Sequence, residues 1–351
     1  MIKMINSHKL ILTILIEKGV LASSQIHSEL ILKGSEVSLI TVKRELAEMK
    51  SLGLVTATGA GRSVVYQPTT LGRLYLPVDP NLYSAVEPDK RYGQTAFNFE
   101  LFPALSQELF SEAELGEMDN ATKEYQARVK DVPTAIREKE LERFIIELAW
   151  KSSRIEGNTY TLLDTERLIR EGIAAPGHDE KEATMILNHK ESFKFIREHH
   201  AEYQEISLVK IEEVHKILIK GLGVNYGLRT KPVGITGSRY RPLDNQYQIN
   251  EAVQALISSV QIIGSSYSKA LLIILGLSYI QPFEDGNKRT ARLMANAILI
   301  SRNLAPLSYR SVDEDTYKEA LMVFYEVNSI MPFKKIFFEQ YLFAAKNYLI
   351  G

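Results

Sequence analysis

Apolar positions recur at three- and four-residue intervals through most of the chain, the spacing of helices with one buried face. Near the N-terminus residues 7–18 read as a short helix stopped at Gly19. Ser23 or Ser24 can cap a second helix running to about Leu30, and Lys33-Gly34-Ser35 makes a turn. Ser38 then caps a third helix over 39–51. In it Ile40, Leu46 and Met49 are expected to face inward, and Lys43, Arg44 and Lys50 to face solvent. Two short β-branched runs, 54–57 and 63–66, flank the Gly-rich segment 58–62 and predict a hairpin. Residues 76–100 carry the Pro, Asp and Gly of a connector. Beyond them the pattern predicts helices at 101–110, 121–130, 134–156, 161–172, 180–198, 207–220, 249–263, 267–280, 287–302, 313–326 and 331–349. One segment, 226–248, breaks the helical pattern with several Gly and Pro around Val233 and Ile235, and is expected to form a two-stranded flap. Such a hairpin is marginal alone, so one in an otherwise helical body points to a task.

Composition changes this picture little. The chain has 351 residues, 45% hydrophobic and 24% charged, enough for two or three domains with substantial cores. A net charge of −1 gives no global pull towards nucleic acid or acidic membrane. The first 75 residues differ, with nine Lys/Arg against five Glu. The absence of cysteine excludes disulfides, thiolate metal sites and cysteine nucleophiles, and fits a cytoplasmic location. The apolar run 10–16 is cut off by Glu17 and Lys18 and reads as a buried helix, not as a leader. No stretch reaches the roughly 18–20 apolar residues of a membrane span.

Three short helices followed by a hairpin make residues 1–75 resemble the winged helix-turn-helix family. There the third helix enters the major groove of DNA and the hairpin is the wing. By that resemblance Thr41, Lys43 and Arg44 are the groove-facing candidates and Arg62 the wing residue. A winged helix that holds a protein partner instead of DNA fits equally well.

The densest chemistry lies in Gln281-Pro-Phe-Glu-Asp-Gly-Asn-Lys-Arg-Thr-Ala-Arg292. Pro282 stops the apolar helix before it. Gly286 leads into a new helix whose first turns hold Lys288, Arg289 and Arg292. A helix N-terminus presents unpaired N–H groups and the positive end of the dipole, and three cations there oppose that dipole by roughly 0.3–1 kcal/mol each. An anion among them reverses the balance, which predicts a polyphosphate site. Asp285 beside it is a natural Mg²⁺ ligand, since Mg²⁺ is commonly shared with substrate phosphates. The alternative is a basic helix start neutralised by acidic neighbours.

These residues also resemble the defining motif of the Fic family, His-Pro-Phe-x-(Asp/Glu)-Gly-Asn-(Gly/Lys)-Arg-x-x-Arg, with eleven of twelve positions compatible. The resemblance spans roughly 76–340. It implies a mainly α fold: an all-helical Fic domain over 101–351 with one β-hairpin flap, behind a winged-helix (α+β) domain at 1–75 and a connector at 76–100. It implies Phe283 as an anchor of the loop, Asp285 on Mg²⁺, Gly286 and Asn287 in an anion hole, and Arg289 and Arg292 on the phosphates of ATP. Gln281 stands where the family keeps a histidine that takes the proton of a target hydroxyl. A glutamine amide can hydrogen-bond a hydroxyl but has no pKa near neutrality with which to deprotonate it. Lys288 stands where glycine is commonest, as in some Fic proteins and the related Doc toxins, and leaves the nucleotide's orientation open. His215, on a nearby helix, is read as structural.

Upstream, Ser152 and Glu156 are four apart, on one face near the end of a helix expected around 145–157. A carboxylate there opposes the dipole and calls for a cationic partner. The segment resembles the Fic inhibitory motif, (Ser/Thr)-x-x-x-Glu-(Gly/Asn). This implies that Glu156 pairs with Arg292 and occupies the space of the γ-phosphate. In the flap, Val233, Ile235, Gly237 and Tyr240 are by the same resemblance the edge on which a target's backbone docks. Three functions follow as expectations. The first is a self-inhibited adenylyltransferase that moves AMP from Mg-ATP to a hydroxyl of a target protein, impaired by Gln281. The second is a nucleotide-sensing, DNA-binding transcriptional regulator with a degenerate Fic domain. The third is a Doc-like kinase, resting on Lys288. The resemblances also imply a homodimer.

Overall fold

A computed structural model describes residues 4–350. It divides into two compact units. The first holds the N-terminal segment through Ala104 together with Gly234–Arg241 and Glu319–Phe333; the second holds Leu105–Val233, Pro242–Lys318 and the segment from Lys334 onward.

In the first unit the order is α1 (Asn6–Lys18), β1 (Leu21–Ala22), α2 (Ser23–Leu32), α3 (Leu39–Ser51), β2 (Val55–Thr58), β3 (Val65–Pro68), α4 (Thr70–Leu74), α5 (Pro80–Ser84) and α6 (Leu101–Leu105, whose last residue falls in the second unit). The predicted hairpin forms as β2 against β3, and β1 adds a short third strand in the order β1-β3-β2, all antiparallel. Ser38 caps α3 as expected, its Oγ accepting from Thr41 N at 3.2 Å. Ile40 is a correction, being 82% exposed. The buried stripe of α3 is Val42, Leu46 and Met49, and at 100° per residue position 40 falls on the opposite face. The core joins Ile11, Leu12, Leu15, Ile26, Leu46 and Met49 to Tyr83, Val323 and Val327.

The second unit is helical: α7 (Glu112–Lys130), α8 (Thr134–Ile155), α9 (Leu162–Glu171), α10 (Glu180–Glu198), α11 (Leu208–Leu218), α12 (Gln246–Ile262), α13 (Ser266–Ile280), α14 (Asn287–Ile300), the start of α15 (Glu314–Val327) and most of α16 (Met331–Asn347). Its centre is α13, buried from Ala270 to Ile280, which packs along α14. Gly276 lets α12 approach, because a Cβ there would lie 2.3 Å from Leu256 Cδ1. Among the described residues no helix is long and apolar enough to cross a membrane.

The predicted β-hairpin flap is also corrected. No strand forms within 226–248 among the described residues, and α12 begins at Gln246. Pro232 and Pro242 have no N–H to give a ladder. The other backbone groups bond elsewhere: Arg229 N donates to Pro282 O at 2.9 Å and Arg241 N to Thr95 O at 2.9 Å. A turn closed by Ser238 N donating to Ile235 O, with Gly237 at φ 76°, forms the tip.

Candidate functional site

The loop between α13 and α14 is held from below. Gln281 ends α13 in a left-handed conformation, φ 50° and ψ 60°, its N–H bonded to Leu277 O. Its side-chain Nε2 donates to Ser278 O at 2.7 Å, so the amide folds back on the helix it caps. Arg229, buried, donates from Nε to Gln281 O at 2.6 Å and from Nη1 to Lys231 O at 2.9 Å. Phe283 is fully buried and stacks on the His215 ring with centroids 3.7 Å apart. His215 Nε2 donates to Asp285 O at 3.0 Å. Burial lowers the His215 pKa to about 4, outweighing that bond, so the ring is a neutral brace. Asn287 braces from the other side, accepting from Phe283 N and donating to Phe283 O, each at 2.8 Å. Gly286 enters α14 at φ 79°, a left-handed turn that glycine adopts without strain.

Over this scaffold stand the charges. Glu156, at the C-terminal cap of α8, accepts from Arg292 Nη2 at 2.7 Å and lies 3.2 Å from Lys288 Nζ. Burial works to raise its pKa, but Arg292 first, then Lys288, outweigh it and hold it at about 2. Ser152, one turn earlier, accepts from Arg292 Nε through Oγ at 2.8 Å and from Nη2 through its carbonyl at 2.9 Å. The Arg292 guanidinium lies 5.4 Å from the centre of the Tyr317 ring. Arg289 is buried and donates to Asp285 Oδ2 at 3.0 Å, while Gly286 N donates to Oδ1 at 2.6 Å.

Two donors are left over. Arg289 Nη1 and Arg292 Nη1 are both buried without a hydrogen-bond partner. The first N–H groups of α14 also have no partner within their helix. Unspent cationic donors around a helix N-terminus fit an anion with several oxygens, such as a polyphosphate. Among the described residues no three His, Cys, Asp or Glu side chains gather as a metal site. A Mg²⁺ here would therefore rely on Asp285, 62% exposed at its side chain, and on oxygens of the anion it accompanies.

The predicted residues Gln281, Asp285, Gly286, Asn287, Lys288, Arg289, Arg292, Ser152 and Glu156 thus come together in the second unit. The four flap residues do not share one open edge: Val233 belongs to the second unit, while Ile235, Gly237 and Tyr240 belong to the first. There Tyr240 is buried, its ring stacked near Tyr325, and Ser238 Oγ and Arg239 N donate to Glu326. Thr41 is tied to Ser38; Lys43, Arg44 and Arg62 are exposed.

Sequence reasoning missed His189. It is fully buried on α10 and shares a 2.8 Å hydrogen bond with the Ser152 hydroxyl. Burial, then Arg292 and Arg289, drive its pKa down to about 3. The signal was its spacing, since Ile186, His189, Phe193 and Ile196 fall on one helical face.

Residues 205–299 match the sequence profile of the Fic/DOC family. Two curated relatives are the protein adenylyltransferase Fic of Nematostella vectensis, 31% identical over 176 residues, and fic-1 of Caenorhabditis elegans, 25% identical over 179. These matches cover 49% and 50% of this chain but only 41% and 35% of the relatives, so the chain spans less than half of either. Among solved structures, a Fic-1 fragment from C. elegans superposes with a TM-score of 0.58 at 20% identity, covering 68% of this chain and 72% of that one. A Fic-domain signaling protein of Bacteroides thetaiotaomicron gives 0.57 at 18% identity, covering 65% and 94%. Residues 205–299 thus carry the Fic/DOC match, and the chain shares the mainly helical fold of these neighbours.

Proposed function

We propose that the second unit is a self-inhibited nucleotide-transfer domain that binds Mg-ATP at the N-terminus of α14 and is built to move AMP onto a protein hydroxyl. The observation that carries this is the pairing of Glu156 with Arg292 at 2.7 Å, beside guanidinium nitrogens that have no partner. In this function the phosphates lie against Arg289, Arg292 and Lys288. Asp285 holds Mg²⁺, which supplies neutralisation of phosphate charge when bound. Glu156 is the plug: beside an arginine its charge is favourable, beside a triphosphate it is repulsive, and ATP and plug compete for Arg292. In the transfer a hydroxyl oxygen bonds the α-phosphorus, pyrophosphate leaves, and the hydroxyl proton must go to a base. Gln281 cannot take it, and its Nε2 is already given to Ser278. Transfer is expected to be slow or absent, by the roughly 10²–10⁴-fold that a general base contributes.

A second reading draws on that amide and on the first unit. Its order of helices and strands, with exposed Lys43, Arg44 and Arg62, supports a winged helix in which the Fic body senses nucleotide for a DNA-binding regulator.

The separating experiment places Glu156→Gly with and without Gln281→His, and incubates each with ATP labelled at the α or the γ phosphate. Self-labelling from the α position only after Gln281→His establishes an adenylyltransferase disabled at one residue. Label from the γ position establishes a kinase. ATP binding without label in any variant supports the sensor, and DNA affinity that falls steeply with salt supports it further.

A further inference from the structure

The two helices that meet at Ser152 and His189 also border a second concavity, on their other halves. It encloses about 720 Å³, within the range of small-molecule sites. The first half of α8, the C-terminal half of α10, the end of α7 and the segment after α14 form its walls. Leu141, Ile145, Phe193 and Leu304 line it with apolar surface. Around them stand Lys130, Arg137, Lys194 and Arg197, against one carboxylate, Glu198, among the described lining residues.

The two arginines carry the inference. Arg137 is half-buried, and its Nε is enclosed without a hydrogen-bond partner. Its Nη2 reaches the carbonyls of Val129 and Val132 only at 3.4 Å each, long for a hydrogen bond. Burial lowers the pKa of Arg197, and the nearby Arg137 charge lowers it further, while Tyr125 offsets part of this. Both arginines line the cleft beside its apolar floor, and guanidinium forks match an oxyanion in two-pronged geometry.

We propose that this cleft binds an amphipathic oxyanion: an aliphatic tail along Leu141, Ile145 and Phe193, ending in a carboxylate or phosphate at Arg137 and Arg197. The site stands apart from the nucleotide loop and does not depend on its function.

The test is calorimetric titration of the full chain with dodecanoate, dodecyl phosphate and dodecanol, each below the concentration at which it aggregates. One saturable site per chain is expected for at least one oxyanion, with dodecanol weaker by about tenfold or more. The relative affinity of the two oxyanions identifies the head group. Arg137→Gln/Arg197→Gln is expected to weaken the oxyanion by about tenfold or more. Leu141→Trp, which fills the floor and keeps both cations, is expected to do the same, and serves if the double variant melts early by circular dichroism. No saturable heat from either oxyanion overturns the proposal. So does dodecanol binding as well as the oxyanions, or a folded Leu141→Trp that binds like the parent chain.

Discussion

Two carboxylates, one in each unit, are held in opposite ways. Glu326 is completely enclosed, and its oxygens are fully used: Oε2 accepts from the Tyr83 hydroxyl at 2.8 Å, and Oε1 from Ser238 Oγ at 2.7 Å, Arg239 N at 3.0 Å and Arg91 Nη1 at 3.3 Å. The donors come from the connector and from the turn at 238–239, so this carboxylate fastens separate stretches of chain into one unit. Glu156 keeps 17% of its side chain exposed and ion-pairs with Arg292 and Lys288. Around it guanidinium nitrogens are in surplus. A carboxylate whose donors are matched one for one is a permanent part of the fold. One that leaves donors over can be exchanged for a larger anion. On the proposed function, this difference in stoichiometry separates a structural carboxylate from a removable one.

The largest effect that can break this contrast is Glu326→Ala. It leaves Arg91, the Ser238 hydroxyl and the Arg239 N–H without this acceptor, while Tyr83 keeps the Tyr92 carbonyl at 2.6 Å, and removal of one side of a buried charged network costs roughly 3–5 kcal/mol. A denaturant midpoint should fall accordingly, and Mg-ATP should not restore it. A loss under about 1 kcal/mol would mean that water or a neighbour readily replaces Glu326, and the two carboxylates would not differ in kind.

Glu156→Ala should cost less, about 1–3 kcal/mol, because Arg292 keeps the Ser152 hydroxyl and carbonyl. The sharper expectation is linkage. A ligand at about 100 times its dissociation constant stabilises by roughly 2.7 kcal/mol, and removal of the competitor lowers that constant. Thermal shift with Mg-ATP should therefore be larger for Glu156→Ala than for the parent. Equal shifts in both would show that Glu156 does not occupy nucleotide space.

The parts of the molecule differ in how far they could be read ahead. The loop at 281–292 was legible because its chemistry is local: Pro282 and Gly286 state a helix end and a turn, and three cations fall within two turns of each other, without reference to the rest of the fold. The bounds of α3 and α10 were legible, α3 through Ser38 as its cap; the Asp179 cap of α10 went unread. Helix α7 begins nine residues before its predicted start, although Ser111 and Glu114 form a capping box; the apolar pattern there is sparse and the cap went unread. The flap was misread because β-branched residues such as Val233 and Ile235 predict extended backbone, whereas pairing depends on distant partners. Arg229, Thr95 and Glu326 took the bonds that a hairpin would have made. Glu326 and His189 lie in apolar helical stripes, where a polar residue announces burial but not its partner.

The pH dependence follows from the low pKa of Glu156. Its folded value of about 2 lies below its ordinary 4.5, so the pair's contribution is complete above about pH 5 and is lost as pH falls towards 2. Parent and Glu156→Gln should differ in unfolding midpoint by a constant amount from pH 6 upward, and the gap should shrink steadily as pH falls from about 5 towards 2. A gap that stays constant down to pH 3 would show that hydrogen bonding without charge holds the plug.

The smallest effect tests which atoms make up the plug. Ser152→Ala removes the hydroxyl that accepts from Arg292 Nε and meets His189 Nε2, and His189 Nδ1 already has no partner. The cost should be about 1 kcal/mol, the net worth of one such hydrogen bond. Arg292 still donates to the carbonyl of residue 152 and still faces Glu156, so the proposed competitor for nucleotide is unchanged. Mg-ATP affinity measured by calorimetry should then stay within about twofold of the parent, a shift of less than half a kcal/mol. If Ser152→Ala instead raises that affinity as much as Glu156→Ala does, the hydroxyl is what holds the guanidinium away from the phosphates. The removable element would then be the last turn of α8 as a whole, with Glu156 only its charged tip.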